Sequence, residues 1–251
     1  MNLSFQGKTV LVTGASRGIG LGVARGFAAL GGDVHILADD DGVFGAAKEL
    51  GARPYKVDIT DGDAVQDALS TIPRIDVLIN NAGFERMTPL VSESERVEEV
   101  FRRIIEINII GTSTVTRRSI ARMRPGSTIV NTASIWGRVA EAQFDAYVAS
   151  KHAIIGLTKT WAKELGPLGI RVNAVCPGWV RTEASMRSLS LMAAARGTNE
   201  AGLLADIVAG QALAGLMEPD DLQEAYLFLA SERATNITGQ SLGVDRGEVP
   251  W

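Results

Sequence analysis

Seven short runs rich in valine and isoleucine recur along the chain, at 8–13 (KTVLVT), 33–38 (DVHILA), 53–57 (RPYKV), 75–79 (IDVLI), 127–133 (STIVNTA), 170–175 (IRVNAV) and, more weakly, 240–244 (QSLGV). Helix-compatible stretches separate them. Strand alternating with helix specifies an α/β fold in which a parallel sheet carries helices on both faces. The near-continuous hydrophobicity of the runs fits strands covered on both sides. In such a doubly wound sheet, here of about seven strands, the ligand is expected outside the carboxyl ends of the strands. The residues that follow each run are therefore the ones to read for function.

No linker rich in Pro, Gly or Ser divides the 251 residues, and no internal repeat is visible, so residues 1–251 read as one domain. The balance of 46% hydrophobic and 22% charged residues is that of a folded globular protein. A formal net charge of −4 without a basic run argues against a nucleic-acid partner. No segment approaches the roughly 18 apolar residues of a membrane span, and the N-terminal MNLSFQGKTVLVTG lacks a signal-peptide pattern, so a cytoplasmic location is expected. Cys176 is the single cysteine, which excludes an intrachain disulfide, and its apolar surroundings read as those of a buried, inert thiol. With only His35 and His152 beside it, neither a zinc cluster nor a Ser-His-Asp triad is expected, and no metal is assigned. The chemistry is left to oxygen groups, lysine or a bound organic cofactor.

VLVTGASRGIG joins the first strand to the first helix through Gly14, Gly18 and Gly20, with Ser16, Arg17 and Ile19 between them. Glycines let a backbone turn tightly against a pyrophosphate, and the helix N-terminus offers its free N–H groups to the charge. The second strand ends in Asp39, Asp40 and Asp41, with Asp39 placed 19 residues after Gly20. A carboxylate there accepts hydrogen bonds from the adenosine ribose and repels a 2′-phosphate, which favours NAD over NADP. Arg17 argues the other way, since a cation in this loop suits a 2′-phosphate, but the acids outweigh it. Asp58, followed by Ile59 after the third strand, suits the adenine amino group, and Asn81, Ala82 and Gly83 of NNAG end the fourth strand with small residues where backbone passes close to adenosine.

DAYVASKHAIIG places Tyr147 and Lys151 four residues apart on one helical face. An ammonium there is expected to lower the phenol's pKa by favouring phenolate, which fits the tyrosine for general acid–base work near neutral pH. The stretch 179–206 carries no steady period and is expected to form a lid or binding loop with helical pieces.

In this order, TGASRGIG, NNAG, YVASK and PGWVRT resemble the short-chain dehydrogenase/reductase family, and the likeness runs through TGQSLGVD near the C-terminus. The resemblance implies a single Rossmann domain, a nicotinamide dinucleotide, and hydride exchange between an alcohol and a ketone. By motif position it implies Ser134, Tyr147, Lys151 and Asn108 of IEINIIGT as the catalytic set. Ser134 would hold the substrate oxygen, Lys151 the nicotinamide ribose, and Asn108 a water leading the proton outward. Pro177, Gly178, Val180 and Thr182 would meet the nicotinamide end, with Thr182 and the Val180 backbone on the carboxamide. The resemblance also implies a homodimer or homotetramer joined through helical regions near 93–123 and 145–166. VDRG at 244–247 departs from the two glycines many relatives carry after the aspartate, which puts the local turn in question.

Glu85, Arg86, Arg138, Glu141 and Gln143 are expected to border the substrate, and these polar groups suggest a polyol or sugar derivative. Two other readings remain open: an NADPH-dependent carbonyl reductase of the 3-oxoacyl type, supported by Arg17, and a non-catalytic nucleotide-binding regulator. The terminal Trp251 suggests an interface or the closing of a neighbouring pocket.

Overall fold

The computed structural model describes residues 3–92, 94 and 96–250, so Trp251 lies outside the described residues. Its seven strands are β1 (Thr9–Thr13), β2 (Asp33–Ala38), β3 (Arg53–Lys56), β4 (Val77–Asn80), β5 (Thr128–Thr132), β6 (Arg171–Pro177) and β7 (Ser241–Val244). They form one parallel sheet in the order β3-β2-β1-β4-β5-β6-β7. Each valine-rich run became a strand. The fold is that of a single Rossmann-like domain.

Alternation within the runs divides the core between the two faces, because successive side chains of a strand point to opposite sides. Val10 and Val12 join one buried cluster with Val23 and Phe27 of α1 (Gly18–Ala29) and with Tyr226 and Leu227 of α9 (Gln223–Ala230). Leu11, between them, joins the opposite cluster with Val65 and Leu69 of α3 (Gly62–Ser70), Val115 of α5 (Thr112–Ile120) and Trp161 of α6 (Asp145–Leu165). Pro54 is tolerated in β3 because that strand pairs only with β2 and leaves its other edge free. Two further helices, α2 (Gly42–Leu50) and α4 (Arg96–Ile105), complete the layers around the first four strands. The helical region expected near 93–123 is interrupted: a π-helical stretch, Glu106–Gly111, joins α4 to α5. Such wide turns occur chiefly at functional sites, and Asn108 sits in this one.

The segment 179–206 contains the helical pieces expected of it. It forms α7 (Glu183–Ala195), closed at its start by a capping box between Thr182 and Ser185, and begins α8 (Glu200–Ala209), capped by Asn199. Its Leu189, Met192, Ala193 and Leu203 pack with Trp179 and Phe144 in a separate cluster. A helix pair that packs over an aromatic cluster shows no single clean apolar stripe in sequence. In VDRG the turn is made with Arg246 in the left-handed region at φ 56°, followed by Gly247 at φ 74°. Asp245 holds it by accepting the amide hydrogens of Gly247 and Val249, each at 3.0 Å. Among the described residues no helix is long and apolar enough to cross a membrane.

Candidate active site

Strand order reverses between β1 and β4, and the chain passes from β1 to α1 on one face of the sheet and from β4 on to α5 on the other. That leaves a crevice at the carboxyl edge of the sheet. A cleft of about 670 Å³ opens at this point, lined by residues of β2, β5 and β6 and by those that follow β1, β3 and β4. The cofactor-site residues expected from sequence line it, from Gly14, Ser16, Arg17, Gly18 and Ile19 to Pro177, Gly178, Val180 and Thr182. Gly20 is the exception. A Cβ there would lie 2.2 Å from the Gly14 carbonyl oxygen and 2.5 Å from Asn81 Nδ2, so Gly20 serves the packing of α1 behind the cleft wall.

Gly14 has φ 64°, and a Cβ on it would meet the Ala82 Cα at 2.6 Å. β1 and NNAG are thus pressed together by backbone. Thr13 Oγ1 accepts the amide hydrogens of Asn81 and Ala82, each at 3.0 Å, while Asn81 Nδ2 donates to the Gly14 carbonyl at 3.0 Å. The first turn of α1 receives no side-chain cap from Arg17, and its residues Gly18 and Ile19 face the cleft. Uncapped N–H groups at a helix start suit a pyrophosphate. The residues present therefore fit a dinucleotide.

At the adenosine end Asp39 is exposed and lines the cleft beside Asp40. Asp40 accepts from Ser16 Oγ at 2.8 Å and from Arg17 Nη1 at 2.7 Å, and its other oxygen accepts the Gly42 amide at 2.8 Å. Burial alone would raise the Asp40 pKa, but these hydrogen bonds and the Arg17 charge hold it below the usual carboxylate range. The one cation of the glycine loop is thereby paired within the chain, and it also approaches Glu183 at 3.7 Å. Asp41, the third acid, is turned to Lys56 at 2.7 Å. Asp58 lines the cleft next to Ile59 and accepts from Thr60 and from Arg103 Nη2 at 2.6 Å.

At the other end Ser134, Tyr147 and Lys151 line one wall. Ser134 ends the extended stretch after β5, and its hydroxyl accepts the Trp136 amide at 3.1 Å, starting the short helical turn Ile135–Gly137. Lys151, buried on α6, donates to the Thr132 carbonyl at 2.9 Å and places Nζ 5.4 Å from the centre of the Tyr147 ring. It pairs with neither Asp145 nor Glu164. Asp145 instead takes the Thr88 hydroxyl at 2.5 Å.

The expected lowering of the tyrosine pKa is not what this arrangement gives. Burial drives the Tyr147 phenol well above its ordinary value; the Glu85 charge adds to this, and hydrogen bonding with Ser134 offsets only part. Burial likewise pushes the Lys151 ammonium down to about 8. Desolvation is the largest cause of each shift.

The Asn108 side chain does not line the cleft. Its Oδ1 accepts the Phe84 amide at 2.7 Å, and its Nδ2 donates to the Phe84 carbonyl at 3.0 Å and to Ser150 Oγ at 2.9 Å. It therefore ties the loop after β4 to α6, and the amide group expected to anchor a water is spent on these bonds. Thr182 Oγ1 is similarly engaged in its capping box with Ser185.

Of the polar residues expected around the substrate, Glu85 and Arg86 line the cleft. The other three do not. Arg138 donates to the Ser241 carbonyl, Glu141 pairs with Arg196 at 2.5 Å, and Gln143 turns at φ 69° with its carbonyl taken by Thr88. Sequence reasoning missed Trp136, Trp179, Arg187 and Ser188, all of which line the same end. The helical phase of α7 puts Arg187 and Ser188 three and four residues after Ala184, on the face that lines the cleft.

A dinucleotide crevice with serine, tyrosine and lysine at its far end defines an oxidoreductase of the Rossmann class. Comparison with known proteins agrees. Residues 14–248 match the family described as Enoyl-(Acyl carrier protein) reductase. Oxidoreductase UcpA of Salmonella typhimurium is 38% identical over 253 residues, covering 96% of this chain and 94% of that protein. The 3-oxoacyl-[acyl-carrier-protein] reductase FabG of Thermotoga maritima is 36% identical over 262 residues, covering 98% and 100%. The crystal structure of NAD+-bound xylitol dehydrogenase superposes with a TM-score of 0.91 at 29% identity, over 97% of this chain and 99% of that one. The chain belongs to the short-chain dehydrogenase/reductase family and is an NAD(P)-dependent enzyme interconverting alcohols and ketones.

Proposed function

We propose that the enzyme oxidises a secondary alcohol of a polyol or sugar derivative with NAD, using Tyr147 as the general base. The observation that carries the cofactor choice is the Asp40–Arg17 pair beside an exposed Asp39. A 2′-phosphate would meet carboxylates there, and the cation suited to receive it is already paired with Asp40. The xylitol dehydrogenase to which the fold is similar was solved with NAD+ and supports the same reading.

When bound, the nicotinamide supplies the hydride acceptor and a positive charge close to the phenol. Ser134 holds the substrate oxygen by hydrogen bonding. Tyr147 takes the hydroxyl proton, and Lys151 favours the phenolate through its charge while holding the nicotinamide ribose. Asn108 fixes the loop carrying Phe84 to α6, so that Gly83 and Lys151 keep their separation. Thr13 and Asn81 keep the glycine loop and NNAG in register for the adenosine half. α7 acts as the lid over the substrate.

The reverse reaction, reduction of a 3-oxoacyl-type carbonyl with NADPH, is the second reading. It is favoured by similarity to FabG and by Arg17. Initial rates with a panel of polyols and sugars, each with NAD and with NADP, test the proposal. It predicts a higher kcat/KM with NAD on hydroxylated substrates; turnover confined to NADPH and acyl thioesters would replace it with the second reading.

A further inference from the structure

The substrate end of the cleft carries charges that hydride exchange alone does not require. The loop after β4 brings Glu85 and Arg86 to it, and α7 brings Arg187 and Ser188 to the same wall. Ser188 Oγ donates to the Glu85 carboxylate, 2.7 Å from each oxygen, and so fastens α7 to that loop. Burial raises the Glu85 pKa, against the opposing effects of Ser188, Arg187 and Arg86. The single Ser188 hydroxyl leaves the carboxylate further lone pairs with which to accept from a ligand.

The two arginines are differently placed from their neighbours. Arg17, Arg181 and Arg196 each have a carboxylate partner at 2.5–2.8 Å. Arg86 and Arg187 have none within ion-pair distance among the described residues. Arg86 lies over the Phe84 ring at 4.5 Å and donates to the Glu85 carbonyl at 2.7 Å, contacts that aim the guanidinium without neutralising it. Burial, and then the charge of Arg187, lower its pKa against the opposing charges of Glu85 and Glu183. Arg187 Nε is buried with no hydrogen-bond partner among the described residues. A buried donor left unpaired costs roughly 1–3 kcal/mol. Folded proteins rarely leave such a group unless a ligand or water completes it.

Two guanidinium groups in one wall match the paired oxygens of a carboxylate or phosphate. An aromatic patch adjoins Tyr147 in the same cleft. The rings of Trp136 and Trp179 are 6.1 Å apart edge to face, and Trp136 meets the Tyr147 ring at 5.9 Å. Carbon-bound hydrogens of a sugar skeleton can pack there.

We infer that the substrate bears an anionic group, a carboxylate or a phosphate, held by Arg86 and Arg187, while one of its hydroxyls donates to Glu85 and the reacting carbinol lies at Tyr147. The inference rests on the sugar-oxidising reading above and narrows it to sugar acids or sugar phosphates. The redox step is unchanged: the carbinol C–H leaves as hydride to NAD, its O–H proton goes to Tyr147, and the anionic group takes no part.

The test is a set of matched substrates with NAD: xylitol, xylonate and xylitol 5-phosphate, and glucose, gluconate and glucose 6-phosphate. At least one carboxylate or phosphate member should exceed its neutral counterpart tenfold or more in kcat/KM, and which one does so identifies the anion. Arg187→Gln and Arg86→Gln should each reduce that ratio at least tenfold, chiefly through KM. A purely structural role would lower both members of a pair together and leave the ratio alone, which would overturn the inference. Equal or better turnover of the neutral members would also overturn it and leave the polyol reading standing.

Failure of every member would remove the polyol reading. The anion site is then judged by titrating the enzyme–NADH complex with malonate and with inorganic phosphate, against chloride at equal ionic strength, followed by NADH fluorescence. Saturable binding of either probe that Arg187→Gln abolishes upholds the site. No binding, or binding indifferent to that substitution, rejects it.

Discussion

Replacing Gly14 by alanine tests how tightly the glycine loop is pressed against NNAG. The residue has φ 64°, and its new Cβ would lie 2.6 Å from the Ala82 Cα, 2.9 Å from the Ala82 nitrogen and 3.2 Å from its Cβ. Two of these contacts are to backbone, which cannot swing aside as a side-chain tip can. A left-handed conformation costs a non-glycine residue about 1–2 kcal/mol, and forcing a methyl group into filled space costs about 1–3 kcal/mol more. The sum is roughly 2–5 kcal/mol, and at about 2–4 °C per kcal/mol for a chain of this size the melting temperature should fall by about 4–20 °C. Thermal unfolding followed by circular dichroism measures this, and titration with NAD should show weakened binding in the same variant, since Ala82 lines the cleft. Gly45 supplies the comparison. It lies inside α2, and a Cβ there meets nothing within 4 Å. Alanine at Gly45 should stabilise the protein by about 0.4–1 kcal/mol through helix propensity and unfolded-chain entropy. If Gly14→Ala changed stability by no more than Gly45→Ala, the close approach of β1 to NNAG would be wrong.

Three other outcomes follow from the same geometry. Removing both acids at the adenosine end, Asp39→Ala with Asp40→Ala, frees Arg17 and should raise the NADP-to-NAD ratio of kcat/KM by about 10–100-fold, on the order of 1.4–2.8 kcal/mol of changed preference; initial-rate kinetics with both cofactors checks it. The Lys151 ammonium ionises near 8 when folded against a reference of 10.5, so between those values the unfolded chain holds more protons and stability should rise with pH. Urea unfolding at pH 8 and 10 should therefore show the wild type gaining on Lys151→Met by about 2–3 kcal/mol; a falling difference would contradict the sign. Sedimentation should give a dimer or tetramer, and Ile110→Glu, at an exposed apolar position in the π-helical stretch, should shift it toward smaller species.

The sequence made the central strands legible because they are covered on both faces and read as nearly unbroken apolar runs, whereas the edge strands β3 and β7 are partly exposed and read more weakly. The spacing of Tyr147 and Lys151 was equally direct, since four residues on a helix determine a shared face without any tertiary information. What could not be read was which way side chains turn once loops close. Asp39 and Asp40 follow the same strand, yet it is Asp40 that takes Ser16 and Arg17, because the chain turns there into α2. Arg138, Glu141 and Gln143 lie between Ser134 and Tyr147 in sequence but leave the cleft for Ser241, Arg196 and Thr88. Arg187 and Ser188 lie far along the chain and reach the cleft only because α7 folds back over it. The direction of the Tyr147 shift was also hidden, since sequence shows a charge pair but not how deeply both members are buried.

Catalysis through the Tyr147 hydroxyl is the claim on which the functional account stands, and Tyr147→Phe removes that oxygen while keeping the ring against Trp136. The measurement is kcat beside the Kd for NAD in the same preparation. The account predicts that turnover falls by about 10²–10⁴, the usual worth of general acid–base catalysis, with NAD affinity held within about threefold, roughly 0.65 kcal/mol. Turnover within a few fold of the wild type would contradict it.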